Sequence, residues 1–382
     1  MDAEDFKEVL STVRDFVRSR VIPLEEQIEN DDRIPDELID ASRELGLFGW
    51  ALPEEFGGLG LDAVEDVKLG MELGYTTPSF RSLFGTNNGI AGQVLVNYGT
   101  AEQKAQWLPR LASGEVIASF ALTEAEAGSD PSGLRSTAVR DGDTYRINGA
   151  KRFITNAQLA QVLVVFARTD PNASGTKGIS AFLVDTDAPG VTIGPHDKKM
   201  GQEGAWTSEI FFDDVVVGVD RLVGGEEEVG FRAAMASLAK GRLHISAICV
   251  GQAQRILDES VAYAAEAKQG GKPIGTFQLI QGMIGDSYSE LRAAKALVLD
   301  AARDFQDGSD RKLGPSASKL FASEMLGRVA DRGVQIHGGL GYMRAVPVER
   351  FYRAARLFRI YEGTSEVQKI VLARHLLQAR GM

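Results

Sequence analysis

The chain has 382 residues and carries 42 lysines and arginines against 53 aspartates and glutamates, a formal net charge of −11. This negative excess argues against a protein that works by holding nucleic acid or anionic lipid, because both would repel it. With 44% hydrophobic and 25% charged residues the composition is that of a globular protein. At about 150 residues per domain, we expect two or three domains.

The cysteine content and the amino terminus both favour a reducing compartment. The single cysteine, Cys249, lies in an apolar stretch, so we expect a buried packing residue, with a reactive thiol as the alternative. The first residues are acidic and lack the basic start and apolar run of a signal peptide, and no run of about 20 apolar residues occurs. We therefore expect a cytoplasmic protein that contacts no membrane.

The first third of the chain shows a helical pattern. Over residues 4–21 apolar side chains recur at helical spacing, with Phe6, Val13 and Phe16 on one face. Similar patterns continue to about residue 113. We therefore predict a mostly helical first domain.

The pattern then changes to short β-rich runs between about 116 and 220. The clearest runs are 162–166 and 181–184, and turn residues such as Asp141-Gly142-Asp143 punctuate the region. From about 228 the helical pattern returns and holds over 230–269, far longer than an average helix of about 11 to 12 residues. Long helices of this kind are typical of a bundle.

These patterns predict an α+β multidomain protein with an all-α N-terminal domain, a middle antiparallel β-domain and a C-terminal helical bundle. The predicted boundaries are 1–115, 116–226 and 227–382. Strands and helices do not alternate, and no Gly-x-Gly-x-x-Gly follows a strand. A Rossmann nucleotide-binding unit is therefore not expected.

The first segment with chemical potential follows a predicted strand. The apolar residues Phe120 and Leu122 run directly into a loop of small residues with hydroxyl groups at Thr123 and Ser129. Small residues allow a backbone to approach a ligand closely, so this loop is a candidate binding segment. A tight turn capped by Ser129 and Asp130 is the alternative.

Two further segments are weaker. Residues 151–156 place an aromatic ring and a hydroxyl group at a strand end, with core packing of Phe153 as the alternative. Residues 335–341 end a helix in glycines, which helix termination alone would explain. We expect His337 to be a structural hydrogen-bonding group, because the four histidines are scattered and only one cysteine exists. No metal site is predicted.

The last segment contains a candidate base. Thr364 or Ser365 suits the cap of a following helix, and Glu366 falls in its first turn. Glu362 stands just outside that helix beside Tyr361. An apolar setting there would raise the pKa of the Glu362 carboxyl by desolvation and make it a better base near neutral pH. A solvated loop carboxylate is the alternative.

In this order and at these separations, the segments resemble the flavin-dependent acyl-CoA dehydrogenase family over essentially the whole chain. The resemblance implies helical, β and four-helix-bundle domains in sequence, with FAD between the β-domain and the bundle. It also implies a homotetramer built from two dimers. The motifs that carry it are 122–124 with 127–130, 153–156, 335–339 and 361–364.

The resemblance assigns ligand-binding roles to individual residues. Those expected along the flavin ring are Phe120, Leu122, Thr123, Phe153, Ile154 and Thr155. Those expected near the rest of the cofactor are Gly128, Ser129, Thr364 and Glu366, while Gln335, Gly338 and Gly339 would reach the FAD of the partner subunit. Contacts with the acyl-CoA are expected from Ser129, Arg242, Tyr361 and Gly363.

The resemblance also implies the reaction. Glu362 would remove the α-proton of an acyl-CoA while the β-hydrogen leaves as hydride to FAD, giving a trans-2-enoyl-CoA, as in fatty acid β-oxidation. Electron-transferring flavoprotein is the expected electron acceptor. Some family members place the base at the position of Gly241, which has no carboxylate, so Glu362 is the candidate and Arg242 a neighbour that steadies it.

Two departures from the family pattern leave alternatives open. Ala267 and Gly270 stand where arginine and phenylalanine usually grip the cofactor, although Lys268 or Lys272 could supply a charge. Weak FAD binding, a hetero-oligomer with a paralogous subunit, or a flavin-free scaffold protein are then alternatives. Arg81 precedes a serine as in glutaryl-CoA dehydrogenases, but a surface or helix-pairing arginine is the favoured interpretation.

Overall fold

The computed structural model describes residues 1–173, 175–344 and 346–381. Side-chain caps explain where several N-terminal helices begin: the Asp2 carboxylate accepts from the amides of Glu4 and Asp5, and Thr100 forms a reciprocal capping box with Gln103. The helices of this part are α1 (Ala3–Phe16), α2 (Glu25–Asp31), α3 (Asp36–Glu44), α4 (Ala63–Leu73), α5 (Pro78–Asn88), α6 (Ile90–Tyr98) and α7 (Ala101–Ala112).

The first helix is shorter than its apolar pattern. Helix α1 ends at Phe16, and the buried residues Val17 and Val21 bound a single π-helical turn. Pro23 follows in a 3-10 turn. The apolar period continues through the π-turn, and Pro23, which lacks an amide donor, prevents regular α-helical bonding from extending further.

The middle of the chain forms a sheet in which the order is β1-β4-β2-β3-β7-β6, with β5 also paired to β4. Most pairs are antiparallel as predicted, but β1 and β4 run parallel, as do β2 and β4 at one bridge. The segment 122–136 joins the end of β1 to the start of β2. It is long enough to carry the chain back along the sheet, so β2 can run in the same direction as β1. The strands are β1 (Ala118–Ala121), β2 (Thr137–Asp141), β3 (Thr144–Thr155), β4 (Val162–Arg168), β5 (Ile179–Asp185), β6 (Val191–Ile193) and β7 (Thr207–Gly218).

The last part is helical, and its central helix is buried over most of its length. That helix ends at Glu266, before the predicted 269, because Ala267 is extended and a short hairpin turns through Gly270 and Gly271, both at positive φ. The elements are α8 (Gly230–Glu266), β8 (Lys268–Gln269), β9 (Lys272–Pro273), α9 (Gln278–Asp307), α10 (Leu313–His337), α11 (Pro347–Ala355) and α12 (Ser365–Gln378).

Close packing joins the N-terminal helices to this bundle. A Cβ added to Gly251 on α8 would lie 2.1 Å from the carbonyl oxygen of Met71 on α4, so the two helices approach closely at this glycine. The buried Glu25 carboxylate accepts from Thr76 at 2.6 Å and from the Arg350 guanidinium at 2.9 Å. Among the described residues, no helix has the length and hydropathy needed to cross a bilayer.

Candidate active site

Glu362 lies in the loop between a 3-10 helix (Arg356–Arg359) and α12, in a left-handed conformation with φ of 57°. Few residues other than glycine adopt this conformation, so the surrounding structure must hold it. The side chain is half-buried, and its Oε2 atom is fully buried without a hydrogen-bond partner among the described residues. The alternative of a solvated loop carboxylate is therefore wrong.

The Glu362 carboxylate packs against the glycine of α8 that the sequence singled out. A Cβ built on Gly241 would lie 2.7 Å from Glu362 Oε2, so the carboxylate occupies the space that a side chain at 241 would need. Burial raises the pKa of Glu362 above its ordinary value, while the charges of Arg81, Arg242 and Lys319 act against that rise. The net direction is upward, as expected for a base poised nearer neutral pH.

Three side chains fix the backbone of this loop. Arg242 Nε donates to the Glu362 carbonyl at 3.3 Å, and Gln368 Nε2 donates to the carbonyls of Glu362 and Gly363 at 3.1 and 3.0 Å. Lys319 Nζ donates to the Gly363 carbonyl at 2.7 Å. Arg242 therefore contacts the backbone carbonyl of Glu362, while its steadying role stays a prediction.

The start of α12 is capped as predicted. Thr364 Oγ1 accepts from the amide of Val367 at 3.2 Å, and Ser365 Oγ donates to Glu324 at 2.6 Å. Glu366 is exposed in the first turn, where a backbone amide and the Thr364 hydroxyl lower the pKa of its carboxyl. Tyr361 packs edge-on against Phe358, and burial raises the pKa of its phenol.

A small cavity adjoins Gly241 and extends between α5 and α8. Its polar lining includes Asp66, Arg81, Lys240 and His244. Arg81 Nε and His244 Nε2 are buried without hydrogen-bond partners among the described residues. Arg81 is thus a cavity residue rather than a surface arginine, and Gly85 makes room for it, since a Cβ there would lie 2.7 Å from Arg81 Cζ.

A buried carboxylate anchors the far side of this cavity. Asp66 Oδ1 accepts from Trp50 Nε1 at 2.7 Å and lies 2.9 Å from His244 Nδ1. Burial would raise the pKa of Asp66, but His244, Lys240 and Trp50 bring it below its ordinary value. Burial lowers the pKa of His244 despite the pull of Asp66. The cavity therefore contains two cationic side chains, Arg81 and Lys240, and one carboxylate.

The strand ends that were predicted to face the flavin are adjacent. The amide of Arg152 donates to the Thr123 carbonyl at 2.9 Å, and Ser119 Oγ donates to the Thr155 carbonyl at 2.8 Å. Between them, Phe153 has φ of 59° and is 60% exposed. Core packing of Phe153 is thus the wrong alternative. The other apolar side chains predicted to face the flavin are buried: Phe120, Leu122 and Ile154.

A buried ion pair closes the loop that carries Gly128 and Ser129. Glu124 accepts from Lys151 Nζ at 2.8 Å and from the Ser136 hydroxyl at 2.6 Å. Burial lowers the pKa of Lys151 to about 8 although Glu124 pulls it upward. Gly128 and Ser129 remain exposed at the tip of the loop.

The end of β3 is also tied to the helix that carries Arg81. Asn156 is buried at φ of 62°, and its Nδ2 donates to the carbonyl of Ser82 at 2.8 Å and to Thr86 Oγ1 at 3.1 Å. The structure therefore joins the Phe153 strand end to α5, while α5 and α8 share the cavity beside Glu362. Two of the predicted groups of residues are brought together in this way.

The remaining predicted residues lie at the exposed end of α10. Gln335, Gly338 and Gly339 are exposed, and no hydrogen bond in the described structure joins them to Glu362. His337 Nδ1 lies 2.8 Å from the Gly333 carbonyl, and its ring stacks on Tyr263, as expected of a structural histidine. No group of three metal-binding side chains occurs in the part of the chain that the structure describes.

Sequence reasoning missed Lys319, Gln368 and the Asp66–His244 pair. Lys319 lies three residues before the buried Ala322, on the apolar face of α10. This spacing was a usable signal that Lys319 is buried. The Asp66–His244 contact joins residues far apart in sequence and left no local trace.

Family models match three parts of the chain: the N-terminal domain of acyl-CoA dehydrogenase over 3–115, the middle domain over 119–215 and the C-terminal domain over 228–377. The Bacillus subtilis protein named "Probable acyl-CoA dehydrogenase YngJ" is 41% identical over 371 residues, which cover 97% of each chain. The chain belongs to the acyl-CoA dehydrogenase family. Members of this family are FAD-dependent oxidoreductases that act on CH–CH bonds.

Two further relatives are named for different activities, one as a reductase and one as a dehydrogenase. The Acetobacterium woodii protein named "Caffeyl-CoA reductase-Etf complex subunit CarC" is 39% identical and covers 98% of this chain and 99% of its own. The structure of butyryl-CoA dehydrogenase from Megasphaera elsdenii superposes with a TM-score of 0.94 at 34% identity, covering 99% of this chain and 100% of that chain. The predicted fold class is confirmed.

Features of this acyl-CoA dehydrogenase fit FAD. Phe153 presents an exposed aromatic ring at the end of β3. A Cβ added to Gly128, Gly338 or Gly339 would meet no atom within 4 Å, so these backbone segments are open to a ligand. The capped start of α12 at Thr364 offers amides suited to a phosphate. The individual contacts remain predictions.

Proposed function

We propose that this acyl-CoA dehydrogenase removes hydrogens from Cα and Cβ of an acyl-CoA thioester to give a trans-2-enoyl-CoA, with Glu362 as the base. The supporting observation is the buried Oε2 of Glu362, which has no hydrogen-bond partner among the described residues and lies beside Gly241, a residue that lines the cavity between α5 and α8. A carboxylate without a hydrogen-bond partner retains a lone pair for a substrate proton. Its raised pKa makes it a stronger base than an exposed glutamate.

The chain's own residues have three tasks in this reaction. Glu362 takes the α-proton, which is too weakly acidic to leave unless negative charge on the thioester oxygen is stabilised. The amide of Glu362 makes no hydrogen bond among the described residues, so it is free to donate to that oxygen. The fixed loop carbonyls keep the carboxylate in one place. Residues of the β-domain and the start of α12 would hold FAD, and the bound cofactor would supply the hydride acceptor for the β-hydrogen.

Electron-transferring flavoprotein is the proposed electron partner. The Acetobacterium woodii relative, which matches almost the whole chain, is named as a subunit of a reductase–Etf complex, and Etf is electron-transferring flavoprotein. The same name describes a reductase, so the proposal includes the reverse reaction when electrons are supplied. A homotetramer is proposed for the assembly, with the exposed Gln335, Gly338 and Gly339 turned toward the partner subunit, and a hetero-oligomer is the alternative.

An anaerobic titration tests the proposal. The purified protein is expected to carry near-stoichiometric flavin, and addition of an acyl-CoA is expected to bleach its absorbance while trans-2-enoyl-CoA forms. A panel of straight-chain acyl-CoAs of increasing length locates the preferred substrate. A colourless protein that gains no activity from added FAD would support the scaffold alternative and overturn the proposal.

A second candidate narrows the substrate to an acyl-CoA with an acidic tail. Arg81 and Lys240 place an excess of positive charge in the cavity, and Arg81 Nε and His244 Nε2 lack hydrogen-bond partners within the described residues. A terminal carboxylate would accept a hydrogen bond from Arg81 Nε. The space left between these side chains holds about one water molecule, so a terminal carboxylate would enter only if a lining side chain such as Arg81 moves.

The two candidates are separated by comparing substrates of similar length. Glutaryl-CoA should bleach the flavin faster than valeryl-CoA if the cavity selects a carboxylate, and Arg81→Met should abolish that preference. A preference for valeryl-CoA in the native protein would exclude the acidic-tail candidate and leave the general proposal intact.

A further inference from the structure

Lys319 is a fully buried cation that the proposed reaction does not use. It lies on α10 with no exposed side-chain surface, and its single hydrogen bond within the described structure goes to the Gly363 carbonyl at 2.7 Å. Burying a charged ammonium group is costly unless nearby charge or hydrogen bonds compensate. The position of Lys319 behind the Glu362 loop therefore requires an explanation.

The contact of Lys319 falls next to Glu362, the residue of this loop that adopts a left-handed conformation without being glycine. Glu362 and Gly363 are consecutive residues at φ of 57° and 89°. Their carbonyls accept from Lys319, Arg242 and Gln368, and the Lys319 bond is the shortest of the set. A residue that holds the Gly363 carbonyl thereby holds the turn that aims the Glu362 side chain at Gly241.

Charge adds to this geometry. Positive groups act on Glu362 from three helices, and Lys319 is in turn influenced by groups on α8, α10 and the loop. The facing titratable and charged groups are Arg81 on α5, Arg242 and Cys249 on α8, Lys319 and Glu324 on α10, and Tyr361 beside the base itself.

We propose that Lys319 is a positioning residue for Glu362: its ammonium group clamps the Gly363 carbonyl, and its buried positive charge favours the ionised form of the carboxylate. This inference rests on the proposed role of Glu362 as the base. It predicts two separable effects, one on the shape of the loop and one on the protonation of the carboxylate.

Lys319→Met tests both effects, and Gln368→Met is its matched comparison. The first variant removes a donor and a charge, whereas the second removes neutral donors to the same carbonyls. Flavin reduction by subsaturating acyl-CoA is followed against pH. Lys319→Met should move the acid limb upward by about one pH unit, about a tenfold loss of rate on that limb. Gln368→Met should lower the rate and leave the limb in place.

Infrared difference spectra give a second readout that does not depend on turnover. The carbonyl band of protonated Glu362, assigned by subtraction of Glu362→Gln spectra, should titrate at higher pH in Lys319→Met than in the native protein. Lys319→Arg, which keeps the charge, should restore the native midpoint.

If Lys319→Met and Gln368→Met slow the reaction alike and neither moves the Glu362 titration, the inference is overturned. Lys319→Gln serves in place of Lys319→Met if the latter does not fold. Failure of the proposed function is distinguishable, because the infrared titration reports on Lys319 even if Glu362 proves not to be the base.

Discussion

Gly241→Ala is expected to separate activity from stability. The added Cβ would lie 2.7 Å from Glu362 Oε2, and ordinary carbon–oxygen contacts begin near 3.4 Å. The obstructing atom is the end of a flexible side chain, so we expect the carboxylate to shift by roughly 0.7 Å while the helix stays in place. Misplacement of a reacting group by about 1 Å can cost about a hundredfold in rate.

The stability of this variant should change little or rise. Alanine is a better helix former than glycine by up to about 1 kcal/mol, and the clash is relieved by Glu362 rather than by backbone. Denaturant unfolding measures the stability, and rapid-mixing flavin reduction measures the activity. We expect a fall in the reduction rate of ~10- to 100-fold with the free energy of unfolding unchanged or raised.

Gly282→Ala and Gly285→Ala are the matched controls for this experiment. Both glycines lie in α9, and a Cβ at either position would meet no atom within 4 Å. These variants should gain the same helix propensity without loss of activity. A Gly241→Ala protein with the native rate of flavin reduction would refute the assigned contact between Gly241 and Glu362.

Three other substitutions test separate parts of the account. Gly251→Ala forces a Cβ against the Met71 carbonyl and should destabilise the protein by about 1–3 kcal/mol in denaturant unfolding; no loss would contradict the close helix contact. Glu124→Gln leaves the buried Lys151 cation unpaired and should cost about 3–5 kcal/mol, whereas an unchanged unfolding midpoint would argue against a structural ion pair. Phe153→Ala removes an exposed ring and should lower flavin retention on dialysis while the melting temperature of the FAD-free protein stays the same; equal retention would remove Phe153 from the FAD site.

Most of the fold could be predicted from local patterns in the sequence. The Thr364 cap, the turn at Gly142 and the length of α8 all follow from residues within a few positions of one another. The parallel pairing of β1 with β4 could not be predicted in this way, because it depends on how the intervening β2–β3 hairpin brings the chain back to the sheet. A pattern of period two shows a strand but not the direction of its neighbour.

The candidate site shows the same difference between features that local sequence predicts and contacts that depend on packing. Glu362 could be proposed from its apolar neighbours, and its loop geometry agrees with that proposal. The contact of Gly241 with its carboxylate, the clamp from Lys319 and the burial of Arg81 all join residues from different elements. Such contacts are set by packing of the helices: the spacing of Lys319 with Ala322 indicates that Lys319 is buried, but it does not indicate which residue Lys319 contacts.

The most direct measurement of the central claim is the rate at which an acyl-CoA reduces the flavin of Glu362→Gln. Glu55→Gln is the control, because Glu55 is an exposed carboxylate far in sequence from the Glu362 loop. Calorimetric titration establishes that each variant still binds the acyl-CoA. The account predicts at least about a thousandfold loss of flavin reduction in Glu362→Gln with binding retained, and a native rate in Glu55→Gln. Native-rate flavin reduction by Glu362→Gln would contradict it.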